Sequence, residues 1–304
     1  MTENKLKSIY NKIRTSNVYD VAIKSPLDYA KNISKKLNNK IYIKREDLQP
    51  VFSFKLRGAY NKISKLKKKK HVNCIIAASA GNHAQGVALS AKKLGLKAII
   101  VMPMTTPKIK IDAVKSLKAK VILHGDAYDD AYEFAKLKAK KENLDFIHPY
   151  DDLDVIAGQG TIAQEIIDQL DSKPDYIFIP VGGGGLLAGI TAYMNYESPK
   201  TKIIAVEPND SDCFNQAFKS KKRVKLTNIG IFADGVAVKQ IGKHTFELTK
   251  NKVFSSILVT TDEICAGIKD LYDETRTIAE PAGALSISGI KKFIKMHKIK
   301  NKTF

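Results

Sequence analysis

The chain contains no tryptophan, only three cysteines and only five arginines. Each shortage excludes something. Cys74, Cys213 and Cys265 are far apart, odd in number and never fall in a Cys-x-x-Cys pair. That argues against a zinc site or a disulfide framework. Cys74 and Cys265 stand among apolar neighbours and read as buried thiols, which points to a reducing, cytoplasmic compartment. No apolar run approaches the roughly 18 residues of a membrane-crossing helix. Met1-Thr2-Glu3-Asn4-Lys5 lacks the apolar stretch that follows a basic start in a secretory signal. His71, His124, His148, His244 and His297 share no metal-ligand spacing.

Lysine, in contrast, is abundant. Lysine and arginine together number 51 against 31 acidic residues, a formal charge of +20. So basic a chain invites a nucleic-acid reading. The make-up of the excess speaks against it. Arginine, the residue suited to bidentate phosphate and base recognition, is scarce. The lysines are spread along the whole chain, and only Lys67 to Lys70 form a tight run, with no aromatic residues interleaved. They read as solvated helix faces, with weak, salt-sensitive polyanion binding as the expected by-product.

With 44% apolar and 27% charged residues, the 304-residue chain is globular in composition, and its length suits one large domain or two ordinary ones. Short apolar runs recur at Cys74–Ala78, Lys97–Met102, Lys120–Leu123 and Phe146–His148, with helical periodicity between them. Steps of about 22 to 25 residues suit right-handed βαβ units. A second series runs through Tyr176–Val181, Lys202–Val206 and Ser256–Val259. Little alternation within the runs suits parallel strands covered on both faces. The expected fold is α/β with two parallel-rich sheets, breaking near Tyr150-Asp151-Asp152, and residues 39–46 add a strand before the first series. Ile162, Ile166, Ile167 and Leu170 share one face of the helix that follows Gly160-Thr161.

Three segments carry chemistry. Gly182-Gly183-Gly184-Gly185-Leu186 joins the strand ending at Val181 to an apolar helix. Four glycines between a strand and a helix N-terminus can converge several N–H groups on one anion. The loop lacks the lysine and hydroxyl of a Walker A motif, so a lone phosphate is favoured over a nucleotide, the alternative being a tight turn only. Ser79-Ala80-Gly81-Asn82-His83-Ala84-Gln85-Gly86 lies at another strand-to-helix turn, where open α/β sheets bind ligands. It can receive a carboxylate, or Ser79 or Asn82 can merely cap the helix. In Ser53-Phe54-Lys55-Leu56-Arg57-Gly58-Ala59, Lys55 has apolar neighbours. A desolvated lysine becomes a base or nucleophile, although taken alone it is one lysine among many.

In order and spacing these segments resemble the fold-type II pyridoxal phosphate enzymes, the tryptophan synthase β family. Within them the chain is most similar to the biosynthetic threonine dehydratases (threonine ammonia-lyases). Lys44-Arg45-Glu46-Asp47, Gly158-Gln159-Gly160-Thr161, Phe232 to Val238 and Glu280-Pro281-Ala282-Gly283-Ala284 complete the set, so the resemblance runs from about Ser25 to Lys298. It implies two doubly wound parallel-rich α/β domains. Residues 1–48 and 151–304 would form a larger, discontinuous, cofactor-binding domain and residues 49–150 a smaller one. It implies that Lys55 forms the internal Schiff base with pyridoxal 5′-phosphate and that Phe54 packs beside the pyridine ring. Asn82 would hydrogen-bond the ring hydroxyl, and N–H groups of Gly182, Gly183, Gly184, Gly185 and Leu186 would hold the phosphate. Ser79, Gly81, Asn82 and His83 would grip the substrate carboxylate, and residues 234–238 would line the substrate side. The implied reaction turns L-threonine into 2-oxobutanoate and ammonia, and L-serine into pyruvate, in a cytoplasmic homo-oligomer serving isoleucine biosynthesis, with no specific nucleic acid or membrane as partner.

Two departures bear on this. Relatives continue beyond Lys302-Thr303-Phe304 into an inner strand of the larger domain, a Ser-Gly-Ala-Asn stretch that meets the pyridine nitrogen, and a domain that senses isoleucine. No response to isoleucine is expected of this chain. Glu207-Pro208-Asn209-Asp210-Ser211-Asp212 resembles a cation-binding segment of serine racemases, but its spacing to Cys213 is one residue shorter. No metal is assigned, and these acids are expected in a solvated loop. Glu280 either lies near the ring or only caps a helix. The rivals on the same scaffold are a degradative serine/threonine dehydratase and a serine racemase-like enzyme. A cysteine synthase-type sulfhydrylase fits less well, since the loop reads Ser-Ala-Gly-Asn-His rather than Thr-Ser-Gly-Asn-Thr. The rival of another class is an inactive remnant.

Overall fold

A computed structural model describes residues 2–304. Helix α1 (Thr2–Arg14) is amphipathic: Leu6, Ile9, Tyr10 and Ile13 recur at helical spacing and are all buried. Strands β1 (Leu27–Tyr29) and β2 (Tyr42–Lys44) then pair antiparallel around α2 (Lys31–Leu37). The extra strand expected over 39–46 is therefore shorter and has a partner that the apolar pattern did not mark.

The first α/β series comprises α3 (Lys55–Lys69), β3 (Cys74–Ala78), α4 (Asn82–Leu94), β4 (Lys97–Met102), α5 (Lys108–Ser116), β5 (Lys120–Leu123), α6 (Tyr128–Lys141) and β6 (Asp145–Phe146). Its four strands form one parallel sheet in the order β5-β4-β3-β6. After β5 the chain crosses back to the far side of β3. The loop after β3 therefore opens at the switch point, where α/β sheets leave a crevice. The second series is α7 (Leu153–Gln169), β7 (Tyr176–Pro180), α8 (Gly185–Glu197), β8 (Lys202–Pro208), α9 (Cys213–Ser220), α10 (Lys243–Thr249), β9 (Ser255–Val259), α11 (Thr261–Thr275) and α12 (Pro281–His297). It forms a parallel sheet in the order β7-β8-β9.

The central strands of both parallel sheets are covered on both faces. In β3, Ile75 and Ala77 enter one apolar cluster while Ile76 and Ala78 enter another, beneath α6. In β7, Tyr176 and Phe178 face α12 while Ile177 and Ile179 face the cluster of α1, α7 and α8. That is the period of two expected of a strand covered on both sides. The α/β class with parallel, doubly wound sheets follows from this pairing. No helix among the described residues is long and apolar enough to cross a membrane.

Helix α7 connects the two halves. Its Gly158 lies so close to α3 that a Cβ there would fall 2.6 Å from the Arg57 carbonyl oxygen. Gln159 accepts the Gly58 N–H at 3.1 Å, satisfying one orphan donor in the first turn of α3. The Gly158-Gln159-Gly160-Thr161 segment thus fixes the helix that begins at Lys55. Ile162 and Ile166 are buried and Ile167 and Leu170 half-buried on the expected face.

Three sequence-based expectations change. The strand expected over Phe146–His148 ends earlier, because the His148 Nδ1 accepts the N–H groups of Tyr150 (3.2 Å) and Asp151 (2.9 Å) in a turn. Cys265 is exposed and Cys74 half-buried, whereas Cys213 is the buried thiol. On α11 the inward face passes through Ile264, Gly267 and Leu271, and Cys265 is rotated off it. Glu207 is fully buried rather than in a solvated loop. It ends β8 and accepts the N–H groups of Phe214 (2.8 Å) and Asn215 (2.7 Å) at the start of α9.

Candidate active site

Lys55 is the first residue of α3, and no side chain caps this helix N-terminus. The neighbouring Ser53 accepts the Lys55 N–H at 3.4 Å. The Lys55 side chain is half-buried, with Nζ 5.2 Å from the centre of the Phe54 ring. Among the described residues it has no ion-pair or hydrogen-bond partner, unlike Lys44, Lys62 and Lys65 around it. Burial pushes its ammonium below the ordinary lysine range, and the charges of Glu280 and Asp234 only partly restore it. A lysine held ready to lose its proton, and committed to no partner, suits nucleophilic or basic chemistry.

The loop after β3 lies beside it. Gly86 of α4 packs on the first turn of α3, where a Cβ would fall 2.9 Å from the Leu56 nitrogen. Ser79 Oγ accepts the Gly81 N–H at 3.2 Å, and Gly81 precedes α4 without a side-chain cap. A Cβ on Gly81 would meet nothing within 4 Å, and among the described residues the N–H groups of Asn82, His83 and Ala84 in the first turn have no protein partner. Asn82 does not cap the helix. Its Nδ2 donates to both carboxylate oxygens of Glu280, at 2.9 and 3.1 Å. Glu280 precedes Pro281 at the start of α12 and makes no side-chain cap there either. Glu280 occupies the N-cap position of α12 but spends its carboxylate on Asn82 instead of on the helix N–H groups.

The His83 ring is turned away from the loop's open side. Its ring is buried, and Nε2 meets the Ile147 carbonyl at 3.0 Å. A carbonyl only accepts, so Nε2 carries the proton and Nδ1 is left without a partner. Burial pushes the imidazole down to about 3, so it stays neutral and cannot grip a carboxylate as a cation. What His83 can offer an anion is its backbone N–H. A pH dependence follows. The folded value lies below the ordinary 6.5, so the unfolded chain takes up the proton first. Stability is full above about 6.5 and is lost progressively as pH falls towards 3. Urea midpoints should drop between pH 7.5 and 5, and His83→Gln should flatten that slope. An unchanged slope in the variant would refute the assignment.

The glycine turn after β7 closes the cleft. Gly184 has φ +88°, in the left-handed region, and begins α8 without a side-chain cap. At Gly183 a Cβ would strike the Tyr150 ring at 2.2 Å. Four glycines are thus needed for close approach as well as for turning. Among the described residues, the N–H groups of Gly183, Gly184, Gly185 and Leu186 have no protein partner. Gly182 abuts the Val236 backbone, and Gly235 lies beside Glu280, with a Cβ position 3.2 Å from Oε1. Contacts therefore run from the glycine turn through residues 235–236 to Glu280 and Asn82, and by charge to Lys55. Lys110 pairs with Asp234, and Lys239 with Asp129 at 2.9 Å, across the same opening.

The sequence did not single out the groups that brace this cleft. Asp151 accepts the N–H groups of Lys243 (2.8 Å), His244 (2.7 Å) and Thr245 (3.3 Å). Arg57 is fully buried between Glu46 and Glu165. Arg57 had a readable signal: an arginine two residues after a candidate lysine, in an apolar stretch. Glu165 and Asp151 had none.

Comparison with known proteins agrees with this geometry. A model of the family described as "Pyridoxal-phosphate dependent enzyme" matches residues 18–304. "Threonine dehydratase biosynthetic, chloroplastic" of Arabidopsis thaliana is 53% identical over 289 residues, covering 95% of this chain and 49% of that protein. A biosynthetic L-threonine dehydratase of Pasteurella multocida is 51% identical, over 96% of this chain and 56% of its own length. The chain thus spans about half the length of the curated relatives it matches. The solved structure of the processed form of threonine deaminase isoform 2 from Solanum lycopersicum superposes with a TM-score of 0.95 at 48% identity, covering 99% of this chain and 87% of that one. A maize serine racemase superposes at 0.88 with 28% identity, over 92% of this chain and 85% of its own. With its fold, its glycine turn and its buried lysine in place, the chain belongs to the pyridoxal-phosphate dependent enzyme family.

Proposed function

We propose that the chain carries the catalytic site of a threonine ammonia-lyase, which deaminates L-threonine to 2-oxobutanoate and ammonia, and L-serine to pyruvate by the same route. The observation that carries it is Lys55: half-buried, below its ordinary pKa and without an ion-pair or hydrogen-bond partner among the described residues, on a cleft shared with a glycine turn whose N–H groups have no partner among the same residues. The substrate follows the relatives, whose names cite threonine over nearly all of this chain. Their service in isoleucine biosynthesis is part of the proposal.

The residues fit pyridoxal phosphate. Among the described residues the N–H groups of the turn at Gly183–Leu186 have no protein partner and would take a phosphate, and the missing side chain at Gly183 lets the turn lie directly against the Tyr150 ring. When bound, the cofactor supplies a conjugated ring that delocalises charge left at a substrate α-carbon. Lys55 would bind it, with Phe54 and Asn82 flanking the ring. Freed by the incoming amine, Lys55 would take the α-proton, and the desolvation that lowers its pKa works in the direction of the neutral amine that this role needs. The uncapped first turn of α4, with Ser79 and Gly81, would hold the substrate carboxylate through N–H groups. Residues 1–48 with 151–304, and 49–150, would act as the two bodies flanking the cleft. A reducing, cytoplasmic setting and a homo-oligomeric assembly are also proposed, the latter on the family resemblance.

Borohydride reduction of the purified chain with pyridoxal phosphate, followed by mass spectrometry, tests the site. Label should concentrate at Lys55, and the unreduced protein should release ammonia from threonine. Label scattered over the surface lysines would overturn the assignment. Racemisation of serine in place of deamination would favour the serine racemases that share the fold.

A further inference from the structure

We infer that Thr245, remote from the reacting atoms, is a positioning residue that aims the N–H groups of the glycine turn. The inference rests on reading that turn as the phosphate cradle. In a trans peptide the C=O and the following N–H point in opposite directions. Whatever holds the Gly183 carbonyl therefore sets the direction of the Gly184 N–H. Two donors hold that carbonyl: the Thr245 hydroxyl at 2.8 Å and the Gly242 N–H at 3.2 Å. Thr245 is fully buried, and its hydroxyl proton has no other acceptor among the described residues.

The preceding peptide is held in the same manner. The Cys213 thiol donates to the Gly182 carbonyl at 3.7 Å, which directs the Gly183 N–H the opposite way. The Gly182 carbonyl is drawn towards Cys213 on α9 and the Gly183 carbonyl towards Thr245 on α10, so the Gly183 N–H points away from Cys213 and the Gly184 N–H away from Thr245. Gly184, at φ +88°, would otherwise have wide freedom. Asp151 completes the brace. Its carboxylate caps the start of α10, and so fixes the backbone from which Thr245 reaches Gly183. Tyr150, next to Asp151, seats its ring against Gly183. Thr245 thus links the far wall of the cleft to the direction of the Gly184 N–H, as Cys213 does for the Gly183 N–H.

The test separates phosphate binding from general packing. The chain, stripped of cofactor, is titrated with pyridoxal phosphate and separately with pyridoxal, which lacks the phosphate. Thr245→Val keeps the shape and removes the donor. It should weaken pyridoxal phosphate about tenfold, as expected when a buried carbonyl loses one of two donors. Pyridoxal binding should not change, and the phosphorus NMR shift of the bound phosphate should move. Thr245→Ser should restore both. Cys213→Ala should show a smaller loss of the same selective kind, and stands in should Thr245→Val fail to fold. Wild-type affinity in these variants, or equal weakening of both ligands, would overturn the inference. A wild-type chain that does not prefer pyridoxal phosphate over pyridoxal would overturn the cradle itself, and the role of Thr245 with it.

Discussion

Lys55→Ala should lower ammonia release from threonine by at least about a thousandfold, since one side chain supplies both the attachment to the cofactor and the base. The same substitution should leave folding intact. Lys55 has no ion-pair partner to orphan, and its amine is held at a cost in a desolvated position. Removing it should keep the thermal midpoint of the cofactor-free chain at or above the parent value. That pairing of results marks a catalytic group rather than a structural one. A variant that retains near-parental turnover would remove Lys55 from the mechanism. One that loses turnover together with its fold would make the lysine structural.

The sequence disclosed Lys55 only in company. Alone it is one basic residue in a lysine-rich chain. The glycine turn and the Ser79–Gly86 loop gave it a place, because glycine runs and small polar residues at strand ends report backbone geometry that a linear pattern can carry. The strands at Cys74–Ala78 and Lys97–Met102 were legible at both ends, since parallel strands covered on both faces read as unbroken apolar runs, and Lys120–Leu123 was legible as an apolar run although it lies at the sheet edge. Strand β1 was not legible. Leu-Asp-Tyr carries no distinguishing period, and only its pairing with β2 makes it a strand. The direction of the His83 ring was not legible either, because it is set by the Ile147 carbonyl, far along the chain. Thr245 and Asp151 were invisible for the same reason. Their work is done on backbone groups of distant segments, and no local pattern records it.

Arg57→Met should destabilise the chain by roughly 3–5 kcal/mol, the range expected when one partner of a buried ionic cluster is removed. The guanidinium is fully buried. It donates to Glu46 through Nε and Nη2 at 2.8 Å each, and to Glu165 through Nη1 at 2.6 Å and Nη2 at 3.1 Å. Thr161 and the Ile23 carbonyl accept from it as well, at 3.1 and 3.2 Å. Methionine would fill most of the volume but leave two carboxylates without their shared guanidinium, with Lys44 as the remaining cation and the Tyr19 hydroxyl as a neutral donor to Glu165. The cluster also has a pH signature. Burial alone would raise the Glu165 carboxyl, but the hydrogen bond and charge of Arg57, with help from Lys44, hold it below the ordinary glutamate range. Its contribution is therefore complete above about pH 4.3 and is lost as pH falls through the lower folded value. Urea unfolding of the parent and of Arg57→Met at pH 7 and at pH 4 separates the outcomes. The gap between the two proteins should be wide at pH 7 and narrower in acid. Because Arg57 lies two residues beyond Lys55 in α3, the variant should also bind cofactor more weakly where it remains folded. A gap that does not change with pH would mean that Arg57 contributes packing and neutral hydrogen bonds rather than charge.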